Sequence, residues 1–277
     1  MNQYLEALRH VVTTANPKKE LIGDLKRDLK PGWLLPILLE IDARTWGRWS
    51  HWFDVMEAQR IGNDPIPQIE FEPHQQHGRK MIERCLNAIT NGNGWQGWSS
   101  FKYFNFFLDW ILFGFGYNKT MPEESSECVG ASMRLYQLFS LETLIAFPND
   151  DLGDMLAENA HGKHNGFFPT PLDLCELMAQ MQMNTDEDMR AKTVCDPCLG
   201  TGRMLLVASN YSYRLHGMDK DETVLKAAIV NGFMYAPWMV KAFPDSFFAE
   251  SCLIETRAPI EISAPTAATR HEQLALI

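Results

Sequence analysis

The stretch Asp196-Pro197-Cys198-Leu199-Gly200-Thr201-Gly202 limits what this chain can fold into more than any other. A short β-branched, apolar run, Thr193 to Cys195, enters a turn with two glycines, and an apolar run of helix formers, Met204 to Ala208, leaves it. That order predicts strand, glycine loop and helix. Gly200 and Gly202 permit φ > 0 and put no Cβ between the loop and a ligand. The first N–H groups of the following helix have no intrahelical partner and suit a carboxylate or phosphate. Farther on, Leu215-His216-Gly217-Met218-Asp219 predicts a second strand ending in an acid. A carboxylate there is placed to accept hydrogen bonds from ribose hydroxyls.

The spacing points to a nucleoside-cofactor site. The third glycine of the dinucleotide fingerprint is missing, and no Gly-Lys-Ser/Thr follows to make a P-loop. The competing reading is a plain strand-turn-helix whose glycines serve the turn.

The loop resembles the S-adenosylmethionine loop (D-P-x-x-G-T-G) of the adenine-N6 DNA methyltransferases, in particular the modification subunit of type I restriction systems. Gly166-Phe167-Phe168-Pro169-Thr170-Pro171 is similar to that family's G-x-F-[YF]-T-P segment, and Asp151-Leu152-Gly153-Asp154-Met155 to its D-x-L-G-x-[IL] helix start. Gly217-Met218-Asp219 matches the G-x-[ED] strand end, Ala228 to Asn231 the helix after it, and Glu250-Ser251-Cys252-Leu253 the G-D-[ST]-L segment. The resemblance runs from Pro148 to Leu253, with its motifs in the family's order.

The resemblance implies an α/β fold: a Rossmann-like S-adenosylmethionine-dependent methyltransferase sheet over residues 148–277, preceded by a mainly α-helical N-terminal domain over residues 1–147. The sheet is expected to be incomplete, with about four strands; strands three and four are expected near Ser246–Ala249 and Ile260–Ser263. The implied cofactor is S-adenosyl-L-methionine. Gly200, Thr201 and Gly202 would approach its methionine part, and Asp196 would bond its amino group. Asp219 would hold the ribose hydroxyls, Glu250 or Ser251 would face the adenine, and Phe168, Thr170 and Pro171 would cover the other side.

The chain departs from the family in several places. Pro169 stands where Tyr or Phe is usual, and Arg203 replaces a small residue after the second glycine. No Asn-Pro-Pro-Tyr or Asp-Pro-Pro-Tyr occurs in the sequence; the nearest segment by position is Ser263-Ala264-Pro265-Thr266. That family loop holds the flipped base and its amino group, so Ser263 and Pro265 are the catalytic candidates that remain. The sequence stops at Ile277, which leaves room for part of the family's sheet and implies an open edge. A second copy or a partner subunit is expected to cover it.

Charge bears on how DNA would be met. Met1–Asp150 holds 15 Lys and Arg against 18 Asp and Glu, so the remainder holds 10 against 17 of the totals 25 and 35. Phosphate neutralisation supplies most non-specific DNA affinity. The acidic methyltransferase-like half is therefore expected to reach DNA through a complex.

Six cysteines are scattered, and the start lacks the basic-then-apolar pattern of a signal peptide, so a reducing cytoplasm is expected. Cys195 and Cys198 form a C-x-x-C without a second pair, so no metal site is expected. Trp95 to Tyr117 is densely aromatic, but Lys102, Asn105 and Asp109 interrupt it, so it is read as a buried helix or a partner interface rather than a membrane span. Trp46, Trp49 and Phe53 at helical spacing predict a packing stripe, the alternative being a base-stacking platform.

Three functions follow. The first is an S-adenosylmethionine-binding protein of the adenine-N6 DNA methyltransferase type whose methyl transfer depends on a partner. The second is a catalytically inactive homologue acting as a scaffold. The third is a different nucleotide-dependent enzyme sharing the strand-loop-helix.

Overall fold

Turn chemistry sets where the helices of this chain begin and end. The computed structural model describes residues 2–14, 29–73, 75–90, 102–158, 167–183 and 187–242. The first part of the chain is helical: α1 (Gln3–Thr14), α2 (Leu35–Arg44), α3 (Arg48–Ala58), α4 (His77–Ile89), α5 (Lys102–Gly114), α6 (Ala131–Leu138) and α7 (Leu141–Ala146). Then come α8 (Asp151–Glu158), α9 (Leu172–Met183), β1 (Thr193–Asp196), α10 (Arg203–Ala208), β2 (Arg214–Gly217), α11 (Glu222–Tyr235) and α12 (Pro237–Val240).

The aromatic stretch forms the buried helix α5. Phe104, Phe106, Phe107, Trp110, Ile111 and Phe113 are all buried, so no face of it is apolar alone, as expected for a helix inside a core. Trp95 to Phe101 lie outside the described residues. α6 and α7 are separate helices because Ser140 starts the second by accepting the Thr143 N–H at 3.2 Å.

The Trp46–Trp49–Phe53 stripe needs correction. Trp46 precedes Gly47, which has φ +69° and starts α3, so the helical spacing does not extend back to it. The buried face is Arg48, Trp49, Trp52 and Val55, whereas Phe53 is exposed. The indoles still pack rather than offer a platform. Trp49 donates to the Phe233 carbonyl at 2.9 Å and Trp52 to the Lys241 carbonyl at 2.8 Å.

Among the described residues the sheet has two strands, not four. β1 and β2 run parallel, with Thr193 opposite Arg214 and Asp196 opposite Gly217. A parallel pair needs a crossover, and α10 provides it. The segments expected to be strands three and four lie outside the described residues.

Helix α11 is the spine between sheet and helices. Its residues from Thr223 to Tyr235 are buried except Lys226, which reaches Asp109 of α5 at 3.1 Å. Phe233 stacks on Phe115 with centroids 4.9 Å apart. The Tyr235 hydroxyl donates to the Leu144 carbonyl at 2.9 Å. One apolar cluster runs from Leu8 to Met239 and takes in both the N-terminal helices and the strand-bearing part.

Candidate functional site

The loop after β1 is held to the end of β2 by its own backbone. Met218 N–H donates to the Asp196 carbonyl at 3.1 Å, and Leu199 N–H to the Met218 carbonyl at 2.9 Å. The Asp196 side chain accepts the Cys198 N–H at 3.0 Å, which bends the chain at Pro197. Leu199 is buried over Gly217, where a Cβ would lie 2.6 Å from the leucine side chain. Glycine at 217 is thus what lets the loop close on the strand.

Gly200 (φ +55°) and Gly202 (φ +87°) take the left-handed backbone that the sequence anticipates. The Gly200 N–H donates to Asp219 Oδ2 at 2.9 Å. The other oxygen, Asp219 Oδ1, accepts the Asp221 N–H at 3.0 Å. Asp221 in turn caps α11 by accepting the Thr223 N–H at 2.8 Å. The acid at the end of strand two and the glycine loop are therefore one hydrogen-bonded unit.

A cavity of about 420 Å³ opens above this unit, a size suited to a small-molecule ligand. Phe167 to Thr170 form one wall, the loop from Asp196 to Thr201 with Arg203 and Met204 at the start of α10 the floor, and Asp219 to Asp221 with Val224 the far wall.

Of the residues singled out in the sequence, Phe168, Thr170, Asp196, Gly200, Thr201 and Asp219 line this cavity. Phe168 is 82 % exposed, so its ring stands at the rim. Gly202 lies behind the loop, where a Cβ would meet Met239 at 2.9 Å, and Pro171 is exposed outside the lining. Glu250, Ser251, Ser263 and Pro265 are outside the described residues.

Beneath the loop is a polar hub that the sequence does not advertise. Asp150 is fully buried. Its Oδ2 accepts the Thr201 hydroxyl at 2.6 Å and Arg203 Nε at 3.0 Å; its Oδ1 accepts Asn231 Nδ2 at 2.8 Å and Gly153 N–H at 3.0 Å. Burial pushes the Asp150 carboxyl up, against the Arg203 charge and the Thr201 hydroxyl, which pull it down. Arg203 also reaches Asp154 Oδ1 at 2.7 Å and the Thr170 carbonyl at 3.1 Å. Thr201 thus turns its side chain away from the cavity and offers it backbone.

Next to the hub, burial pushes the Asp151 carboxyl up to about 7, with Asp154 and Asp150 adding repulsion while the Asn149 amide pulls it down. Its Oδ2 has no hydrogen-bond partner. Cys195 and Cys198 are exposed free thiols, and Cys198 lines the cavity. Among the described residues no three or more His, Cys, Asp or Glu side chains are grouped to hold a metal ion, and no helix is long and apolar enough to cross a membrane.

Residues 150–235 match the family model for N-6 DNA methylase. The match takes in α8, the wall segment, the glycine loop, Asp219 and α11, and so bears out the adenine-N6 methyltransferase resemblance for this part of the chain. A solved structure from Vibrio vulnificus, described as a modification subunit of a type I restriction enzyme, is similar at 16% identity with a TM-score of 0.34. The similarity covers 84% of this chain and 52% of that one, so this chain spans about half the length of that subunit. No curated protein matched.

Proposed function

From the N-6 DNA methylase match of residues 150–235, we propose that the cavity binds S-adenosyl-L-methionine and that the chain serves adenine-N6 methylation of DNA within a complex. The observation that carries this reading is the Gly200 N–H bond to Asp219 Oδ2, which sets the loop and the acid on one cavity.

The residues present fit the group. Each Asp219 oxygen accepts one backbone N–H and keeps a further lone pair, so both can take ribose hydroxyls. Gly200 has no side chain to hold the Phe167 ring off the loop, so that ring closes on the floor beside where the methionine part would lie. Asp196 Oδ1 is engaged by Cys198 N–H, which leaves Oδ2 to meet the amino group. Thr170 and Phe168 would cover the opposite side, with Pro171 beyond them. The cofactor, when bound, supplies an electrophilic methyl group. Glu250 or Ser251 would face the adenine, and strands near 246–249 and 260–263 would extend the sheet from β1 and β2. The division at 147/148 would separate a helical domain from the methyltransferase domain, with cytoplasmic residence.

Methylation also needs groups that hold the target amine. The sequence from Met1 to Ile277 has no Asn-Pro-Pro-aromatic segment, and Ser263 and Pro265 are the remaining candidates. A partner subunit would supply that loop and present the DNA, and that subunit or a second copy would cover the sheet edge. The same sequence feature favours a second reading, in which the chain is an inactive homologue that serves as a scaffold.

Calorimetric titration with S-adenosylmethionine and S-adenosylhomocysteine tests the first reading. Saturable binding that is lost in Asp219→Ala supports it; no heat from either ligand at high concentration removes the cofactor and leaves the scaffold.

A further inference from the structure

We propose that Arg203 is a positioning residue that ties the wall segment 167–170 to the glycine loop, and thereby sets the affinity of the cavity for its ligand. The inference rests on the nucleoside-cofactor reading of the cavity above.

Three observations carry it. First, one guanidinium bridges two walls. Arg203 begins α10 directly after the loop, and its Nη1 donates to the Thr170 carbonyl at 3.1 Å. Segment 167–170 belongs to no helix or strand, so side-chain bonds to its backbone weigh heavily in its position. At the segment's other end, Phe167 packs on Gly200, where a Cβ would lie 3.0 Å from the ring. The wall is thus pinned twice to the loop side, once by a polar clamp and once by an aromatic contact.

Second, the clamp is itself fixed. Arg203 is 7% exposed and is held by Asp150 through Nε at 3.0 Å and by Asp154 through Nη2 at 2.7 Å. Asp150 is locked by Thr201, Gly153 and Asn231, and the Asn231 amide also donates to the Thr201 carbonyl at 3.0 Å. The guanidinium therefore cannot swing to follow the wall; the wall must follow it.

Third, the geometry needs arginine. Three acceptors lie around one planar group that offers donors in several fixed directions, and a lysine ammonium is a single point charge on a flexible stem. Lysine would keep the charge beside Asp150 but would not also hold the Thr170 carbonyl.

Arg203→Lys separates positioning from plain stability. Hydrogen exchange is followed at the amides of residues 167–175, with α5 as internal reference, beside calorimetric titration with S-adenosylhomocysteine. The expected result is an unfolding midpoint within a few degrees of the parent, exchange in 167–175 at least about tenfold faster with α5 unchanged, and a Kd raised about tenfold, equivalent to about 1.4 kcal/mol. Unchanged exchange in 167–175 overturns the proposal. So does faster exchange with an unchanged Kd, because the wall would then be loosened without consequence for the cavity. If Arg203→Lys does not fold, Asp154→Ala, which keeps the guanidinium charge beside Asp150 and releases only Nη2 from a half-buried carboxylate, takes its place with the same two criteria. If the unaltered protein does not bind S-adenosylhomocysteine, the cofactor reading falls; the dependence of affinity on Arg203 falls with it, while exchange still reports whether Arg203 holds the wall.

Discussion

Arg48 in the helical seam and Arg203 under the glycine loop are both almost wholly buried, and their surroundings treat the charge in opposite ways. Burial works against the Arg203 charge, but Asp150 and Asp154 outweigh it and hold the guanidinium above its ordinary range. Burial lowers Arg48 to about 9, with Asp42 pulling the other way. Its Nη2 donates to Ser209, at 2.7 Å to the carbonyl and 3.0 Å to the hydroxyl, while Nε and Nη1 have no partner. Its guanidinium lies 4.4 Å from the centre of the Trp238 ring. The nearest carboxylate, Asp42, is spent on the N–H groups of Arg48 and Trp49 at the start of α3. One region answers a buried charge with carboxylates, the other with an indole face and a serine. The first couples distant segments through charge; the second packs a seam.

The contrast is sharpest at Asp150. Asp150→Ala would leave Arg203 buried beside Asp154 alone and would free Thr201, Gly153 and Asn231 from their shared acceptor. Removing one partner of a buried ion pair costs about 3–5 kcal/mol. Denaturant unfolding should show a loss of that order. A loss below about 1 kcal/mol would mean that the hub is as loosely coupled as the Arg48 seam.

The hub also shows where sequence reading stops. The glycine loop and Asp219 were legible because each rests on local chemistry: positive φ at Gly200 and Gly202, and an acid at the end of the strand beside them. Asp150 reads locally as a helix cap, and it is one, through Gly153. Its larger role depends on Thr201, Arg203 and Asn231, which lie 51 to 81 residues away, and no spacing rule reports such a pairing. The one hint was Arg203 itself, a large cation where the resembled family carries a small residue. The aromatic stripe failed for a different reason. Spacing counts only within one helix, and Gly47 separates Trp46 from α3. The four-strand sheet was not reached because its last two segments lie outside the described residues.

A second prediction probes the acid beside the hub. Burial raises Asp151 from 3.8 to about 7, so the folded protein binds a proton there that the unfolded chain has already released. Stability from this group is then greatest below about pH 4 and declines as pH rises towards 7, by at most about 1.4 kcal/mol per pH unit. Asp151→Asn keeps the shape and cannot ionise. It should flatten that slope and leave the variant more stable than the parent above pH 7. Parallel stability curves for parent and variant between pH 5 and 8 would show that Asp151 is already ionised in the fold.

The smallest effect is expected at Arg48, and it decides whether the two regions truly differ. With Nε and Nη1 unpartnered, the guanidinium brings desolvation that its single serine and the Trp238 face offset only in part. Apolar replacement of such buried ions is often neutral or stabilising. Arg48→Met keeps the length of the stem against Trp238 and should change unfolding free energy by no more than about 1 kcal/mol. Trp49 and Trp52 remain bonded to the Phe233 and Lys241 carbonyls, so the seam between α3 and α11 keeps its register. A loss of several kcal/mol would instead show that the Ser209 bonds and the indole face stabilise Arg48 as firmly as carboxylates stabilise Arg203. The helical seam would then be a second charge-coupled region rather than an aromatic one.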